Sequence, residues 1–448
     1  MRSASRRTLQ ASGLCSPITI ALMVFASISD GITLDEAMHQ TLAKNPTIQA
    51  AKTKLEEAAG QRLVLRSIMW PGAKSVVPGG VQGGDRAGEE GTKPFGFGRG
   101  GISQALFNSA IPSSRRLGDV DLLIAQQQLN VAVVEQLHAA RLAFYTALYN
   151  RQLQSIREEQ RQRLDQNVAS QQQRYEAGLT NRSAFTEATV QARELDSLIE
   201  TAQRAYGEAR LKLAEAMEEN FSPGAPLPEP EGKLEFRPID VDLASATARA
   251  LEERPDLKLA RLLVRAANEQ ERIIAAGYYP AVAANAIGNY VPVTTDVHQE
   301  GSTSKTQDIL GSESKEGMGY TWRVVDNGKV TGAVRTQRAT REANELTYKK
   351  LEANVSRELW RIRNQLNAID ARQKSFGDAV ASAEQSANVV AENLAKGLAS
   401  QLEYRLSQNG LLQTKSGLLT AIYEHNVAVA EWDRATGRYF QFADDTRQ

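Results

Sequence analysis

From Arg115 to Ala177 the chain contains no proline and a single glycine, Gly118. Nothing in that stretch interrupts a helix of about 63 residues, which at 1.5 Å per residue is a rod of roughly 95 Å. A rod of that length exceeds the width of an ordinary globular core, so the fold is elongated and the rod must be buried by helices lying along it. A second proline-free run extends from Val330 to Lys396. In it Val355, Leu359, Ile362, Leu366, Ile369, Phe376, Val380, Ala383, Ala387, Val390 and Leu394 recur at spacings of four and three, with Gln373 the one polar interruption. That is a heptad seam, and its alanine-rich end lets neighbouring helices approach closely. Each rod is followed by a shorter helix, Ser183 to Glu219 and Gln401 to Gly437. Each is preceded by another, expected from a Thr33 or Asp35 cap to about Trp70, where Pro71 stops it, and from Val241 to Tyr279. In each half the two shorter helices laid end to end match the length of the rod, which suggests stacked pairs beside a continuous strut.

The chain is internally duplicated. At an offset of 209, Ile32, Leu34, Ala37, Leu42, Pro46, Ala51, Ala58, Gln61, Val64, Leu65 and Pro71 correspond to Val241, Leu243, Ala246, Leu251, Pro255, Ala260, Ala267, Gln270, Ile273, Ile274 and Pro280. Further on the offset is 219, aligning Gly178-Leu179 with Gly397-Leu398 and Phe185 with Tyr404. Two repeats, 30–219 and 241–440, follow, joined by a linker at 220–240 rich in proline (Pro223, Pro226, Pro228, Pro230 and Pro238), with a short tail at 441–448. The first 29 residues read as a secretory signal: Arg2, Arg6 and Arg7, an apolar stretch from Ile18 to Ala26, then Ser27 and Ser29. Cleavage near Ser29 would also remove Cys15, the only cysteine, leaving no disulfide or thiol chemistry.

Between the first and second helices of each repeat the periodicity changes. Met318, Tyr320, Trp322 and Val324 fall on one face of an extended segment Gly317 to Val325, with Thr321 and Arg323 on the other, the lipid-out, water-in alternation of a barrel strand. Ala281 to Val293 is its expected partner, with Thr294 to Glu316 an exposed loop. Phe95 to Phe107 reads as a strand, and Gly72 to Gln82, interrupted by Pro78, as a poor one. No later segment has the roughly eighteen unbroken apolar residues of a spanning helix, so membrane insertion would be through strands. Four strands cannot close a barrel, and open edges are not tolerated in lipid; closure requires several chains.

Taken together, Ile32-Thr33-Leu34-Asp35-Glu36-Ala37, Asn45-Pro46 with its copy Arg254-Pro255-Asp256-Leu257, Tyr278-Tyr279-Pro280, Tyr175-Glu176-Ala177-Gly178-Leu179 and Lys396-Gly397-Leu398 resemble the TolC-like outer-membrane efflux proteins over nearly the whole mature chain. The resemblance implies a mainly α fold with a small β part: antiparallel coiled-coil helices forming a periplasmic α-barrel, and four strands per chain in a twelve-stranded barrel completed by a homotrimer. It implies an exit duct of a tripartite efflux or type I secretion system, embedded in outer-membrane lipid and meeting a periplasmic adaptor and, through it, an inner-membrane pump. Gly178, Leu179, Gly397 and Leu398 then become adaptor-docking turns, and Glu403 a candidate pore constriction. Leu406 and Ala399 stand where some members carry a second acid and a basic tip residue, so a double acidic ring with an ionic lock is not expected.

Lys plus Arg and Asp plus Glu both total 53, which leaves no basic field for nucleic acid. His39, His138, His298 and His425 lack metal-ligand spacing, and Gly96 to Gly101 lacks the setting of a phosphate loop. No catalytic residue, cofactor or metal is expected. The alternatives are a periplasmic coiled-coil scaffold or adaptor, which should carry β-rich modules between its helical arms, and, last, an enzyme on a helical stalk.

Overall fold

The computed structural model describes residues 31–83, 92–217, 226–297 and 305–440; the expected signal segment, the start of the linker and the C-terminal tail lie outside them. Helix α1 (Leu34–Lys44) opens on a capping box, in which the Glu36 carboxylate accepts from Thr33 N at 2.8 Å and Thr33 Oγ1 accepts from Glu36 N at 3.3 Å. It does not run on to Trp70 as its periodicity suggests. Asn45 is extended (ψ 123°), because Pro46 disfavours helical backbone in the residue before it, and the Asn45 side chain caps a new helix, α2 (Pro46–Ser67), from Thr47 N and Ile48 N. The second half of the chain breaks likewise at Arg254-Pro255, between α5 (Leu243–Glu253) and α6 (Pro255–Ala275). The long rods are α3 (Ile111–Glu176, 66 residues) and α7 (Lys329–Ala395, 67 residues), each about 100 Å long. Each turns back into a shorter helix, α4 (Arg182–Met217) and α8 (Gln401–Ala435).

The short helices stack end to end. Asn45 Nδ2 donates to Ala216 O, at the end of α4, and Arg254 Nη1 donates to Ala435 O, the last residue of α8, both at 3.4 Å. Thus α4 continues into α2 and α8 into α6, each pair flanking a rod. Away from the sheet the packing order is α4, α3, α8, α7; near the sheet it is α2, α3, α6, α7. The heptad seam of α7 is buried at Val355, Leu359, Ile362, Leu366 and Ile369 against Ala246, Ala250, Leu257 and Trp432. A parallel cluster joins Ala37, Phe144, Leu148, Leu213 and Met217 with Leu419 and Leu234.

Leu234 belongs to the proline-rich linker, which is a strap and not a free tether. Ile32 and the linker exchange backbone bonds, Ile32 N to Glu229 O (2.7 Å) and Glu231 N to Ile32 O (2.8 Å). Arg151 reaches the carbonyls of Pro230 and Gly232, and Arg210 those of Leu227 and Pro228. His425 and Asn426 bond the carbonyls of Arg237 and Glu235. Proline removes backbone donors but leaves carbonyls, so side-chain donors from α3, α4 and α8 hold the segment.

The four-stranded antiparallel sheet has the order β1 (Gly72–Val76), β4 (Gly98–Phe107), β5 (Ala281–Val297), β6 (Lys305–Thr321). The first hairpin continues beyond a break as β2 (Gly79–Gly83) paired with β3 (Thr92–Gly96). The stretch Gly72 to Gln82 is therefore strand after all. Pro78 falls between β1 and β2, where its missing N–H costs no ladder bond and its carbonyl accepts from Phe97 N at 3.1 Å. The second hairpin differs more: the expected loop Thr294 to Glu316 is largely strand, and Trp322 and Val324 lie just outside β6. A spanning strand needs about ten residues, whereas β5 and β6 have 17 each. The two strands stay paired over their whole length, Ala281↔Thr321 to Val297↔Lys305, through a polar stretch whose sequence carries no strand-like alternation.

The strand order follows the helix order: α2 leads into β1, β4 into α3, α6 into β5 and β6 into α7. One chain is a single wall from end to end, with α4, α2 and β1 along one edge and α7 and β6 along the other.

Candidate functional site

The expected docking residues come together at the end of the wall furthest from the sheet. Helix α3 ends with Gly178 at φ +71° and α7 with Gly397 at φ +77°, the left-handed region that glycine enters at little cost. Both turns close the same way, with Leu179 N donating to Arg174 O and Leu398 N to Asn393 O, each at 2.8 Å. These six-to-one bonds satisfy the last carbonyls and throw the next side chain outward. Leu179 is 71% exposed and Leu398 76%, so each turn presents one large apolar side chain to water. Asn181 Oδ1 accepts from Ala184 N at the start of α4, and Tyr175 stacks on Phe185 across the turn, ring centroids 6.2 Å apart.

Two features hold the turns together that sequence reasoning missed. Arg174, on α3, donates to the carbonyls of Leu394 (3.0 Å) and Ala395 (2.8 Å), placing a cation at the negative end of α7. Behind it, α3 and α8 meet through neutral polar pairs: Asn167 to Gln401 (3.2 Å), Gln160 to Gln408 (3.1 Å), Tyr149 with Thr420 and Thr146 with Tyr423. Gln160, Gln171, Gln401 and Gln408 are all buried. An Arg four residues before a Gly carries no sign of a partner over two hundred residues away. Buried glutamines look like solvated helix positions until the neighbouring helix is known.

Glu403 lies on the first turn of α8. Its carboxylate is engaged in a capping box, accepting from Ser400 N at 2.7 Å and Ser400 Oγ at 3.0 Å, while Ser400 Oγ accepts from Glu403 N. The backbone bond from Ser400, followed by that of its hydroxyl, holds the carboxyl below its ordinary range. The group is fully exposed and ionised at neutral pH. Leu402 and Leu406 beside it are more than half exposed.

At the opposite end, where helices become strands, exposed aromatics collect: Trp70, Phe107, Tyr278, Tyr279, Tyr320 and Trp322. Trp322 Nε1 donates to Tyr278 O (3.3 Å) and Tyr278 OH to Thr331 Oγ1 (3.1 Å). Rings with an apolar body and a bonded polar end are the residues of a membrane–water interface. Above them the register gives the sheet two unlike faces. One carries Ala73, Ile102, Val282, Ala284, Ala286, Tyr290, Met318 and Tyr320, with Gln104, Glu316 and the small Ser75, Ser312 and Ser314 among them; the other carries every cation of the four strands' lower part, Lys74, Arg99 and Lys315, with Ser103, Asn285, Asn289 and Glu313, and Val76 and Ile287 as its large apolar members there. Among the described residues no helix is long and apolar enough to cross a membrane, so the amphipathic sheet is what lipid could accept.

Residues 246–438 match the family model described as outer membrane efflux protein. The second half of the chain thus carries an outer membrane efflux protein domain. Solved structures share its architecture. The outer membrane protein VceC of Vibrio cholerae superposes over 90% of this chain and 96% of its own, with a TM-score of 0.74 at 16% identity. The Campylobacter jejuni CmeC outer membrane channel covers 90% and 85% (TM-score 0.76, 12% identity). The open state of the Neisseria gonorrhoeae MtrE outer membrane channel covers 90% and 88% (TM-score 0.70, 14% identity). No curated protein sequence matches. The matched domain and the fold shared with outer membrane channels, a strand end and a long helical part, support an outer-membrane exit duct.

Proposed function

We propose that three copies of this efflux protein close into one duct that conducts solutes passively from a periplasmic pump assembly across the outer membrane. The observation that carries this reading is the wall with two unlike, unpartnered edges. In the sheet the edges are β1 and β6, each with an unpaired row of backbone groups. In the helices they carry exposed apolar side chains: Leu63, Val64, Val190, Leu198 and Leu211 on α2 and α4, and Leu346, Trp360 and Val389 on α7. Edges that differ join head to tail, and head-to-tail contacts that close give a ring. Four strands from each of three chains supply a twelve-stranded barrel without open edges in lipid.

The exposed leucines of the two Gly-Leu turns would be the surface met by a periplasmic adaptor, and Glu403, ionised beside them, would repeat three times around the mouth. An adaptor linked to an inner-membrane pump supplies the energy in this reading, and the duct supplies a sealed path. The test is the mass of the protein extracted from outer membranes in detergent. Three chains per particle support the reading, and a detergent-free periplasmic monomer would overturn it in favour of a helical scaffold.

A further inference from the structure

The polar face of the sheet carries an unbalanced charge. Register places Val76, Arg99, Asn289 and Glu313 in one cross-strand row and Lys74, Gly101, Ile287 and Lys315 in the adjacent row of the same face. Lys315 Nζ is 2.8 Å from Glu313 Oε1, so these two neutralise each other. Lys74 and Arg99 are exposed and, among the described residues, have no acidic partner. The opposite face presents Ile102, Met318 and Tyr320 and must be the one turned to lipid, where a Lys or Arg near the midplane costs about 2–4 kcal/mol. Arg99 lies eight residues up β4 from Phe107 in the aromatic group, about 20 Å above it for a strand tilted by roughly 40°. Lys74, opposite Gly101 and six residues up, lies about 15 Å above Phe107, so in an apolar band about 25 Å tall Lys74 falls near the middle and Arg99 in the outer part, both on the lumen side.

We infer that Lys74 and Arg99 form a basic collar inside the β-barrel that makes its outer exit selective for anionic solutes. The inference rests on the barrel reading above. With three cations (Lys74, Arg99 and Lys315) against one acid (Glu313) on this face, each of three copies brings a net two positive charges to one ring. Twelve strands about 4.8 Å apart and tilted by about 40° close at a diameter of roughly 24 Å, so no point of the lumen is more than about 12 Å from its wall. The Debye length at physiological salt is about 8 Å, so the collar's field reaches across much of the opening. Lipid walls of low dielectric focus it further. Small anions and anionic groups of larger solutes are concentrated there, and cations are depleted.

The measurement is the reversal potential of the purified protein in a planar bilayer under a tenfold KCl gradient. The double variant Lys74→Gln/Arg99→Gln should lower the chloride-to-potassium permeability ratio at least threefold. Tripolyphosphate added on the extracellular side should reduce the conductance of the native protein and not that of the double variant. Glu316→Gln, on the opposite face of the sheet, should leave the ratio unchanged. Conducting native and double-variant channels with the same reversal potential would overturn the collar while leaving the barrel intact, and a shift produced by Glu316→Gln would overturn the assignment of faces. A native protein that is monomeric and forms no channels would overturn the barrel itself, and the collar with it.

Discussion

Replacing Arg174 with alanine should loosen the tip of α7 while leaving the tip of α3, where Arg174 itself resides, unchanged. In the native protein its guanidinium donates to Leu394 O and Ala395 O at 3.0 and 2.8 Å. Leu394 O also accepts from Gly397 N, and the neighbouring closing bonds run from Lys396 N to Glu392 O and from Leu398 N to Asn393 O. Hydrogen bonds from a charged donor contribute about 1.5–3 kcal/mol each. The tip faces water, so a combined value near the lower end, about 2 kcal/mol, is appropriate. Since 1.4 kcal/mol is about a factor of ten in an equilibrium constant, local opening of this turn should rise roughly thirtyfold. Hydrogen exchange read by mass spectrometry on peptides spanning Lys396 to Leu398 should show that acceleration. Amides Ala177 to Leu179 should be unaffected, because alanine is at least as good a helix former as arginine. Lysine, a point donor without the planar fork, should restore about half the protection. Unchanged exchange at Lys396 to Leu398 would refute the claim that Arg174 holds the two turns together.

Trp360, 60% exposed on the outer edge of α7, should anchor the contact between copies. Trp360→Ala should cost about 2 kcal/mol per interface, as for an aromatic hot spot, seen as a lower temperature of trimer dissociation on gels with the monomer's helicity unchanged. Leu359, its fully buried neighbour, should behave oppositely: Leu359→Ala should cost about 2–5 kcal/mol and lower the melting temperature of the helical signal itself. The Glu403 capping box should be pH-dependent. Because its folded carboxyl is held below the ordinary range, its contribution is complete above that range and is lost as pH falls through the depressed value. Exchange of the first α8 amides, after correction for the intrinsic rate, should therefore be faster at pH 3 than at pH 6, and Ser400→Ala should remove the difference. Gly397→Ala, forced to φ +77°, should destabilise the turn by about 1–2 kcal/mol, read as faster exchange at Leu398.

The rods and the return helices are legible in the sequence, because a proline-free run with a heptad seam allows few other structures; observed ends fall within a few residues of the expected ones, the largest shift being the start of α3 at Ile111 instead of Arg115. The breaks at Asn45-Pro46 and Arg254-Pro255 were visible as dipeptides and yet lay inside a continuous apolar period. There the local backbone restriction before proline prevailed over the periodicity. The upper part of the β5–β6 hairpin was hidden for another reason: its polar sequence has no apolar alternation, and only the ladder between the two strands marks it as strand. The turns at Gly178 and Gly397 are readable because a left-handed position needs glycine, whereas Arg174 and the amide pairs between α3 and α8 join residues over two hundred positions apart. Their partners follow only from how α3 and α8 pack.

The account stands on one chain being an open wall that closes with copies of itself. Electron cryo-microscopy of the protein from outer membranes in lipid nanodiscs tests this most directly. The expected particle has three-fold symmetry, with β6 of each copy paired to β1 of the next in a twelve-stranded barrel, α7 of each copy packed against α2 and α4 of its neighbour, and one lumen running from the Gly178 and Gly397 turns to the outer surface. A particle whose strand edges stay unpaired, or whose helices enclose no lumen continuous with the barrel, would contradict it.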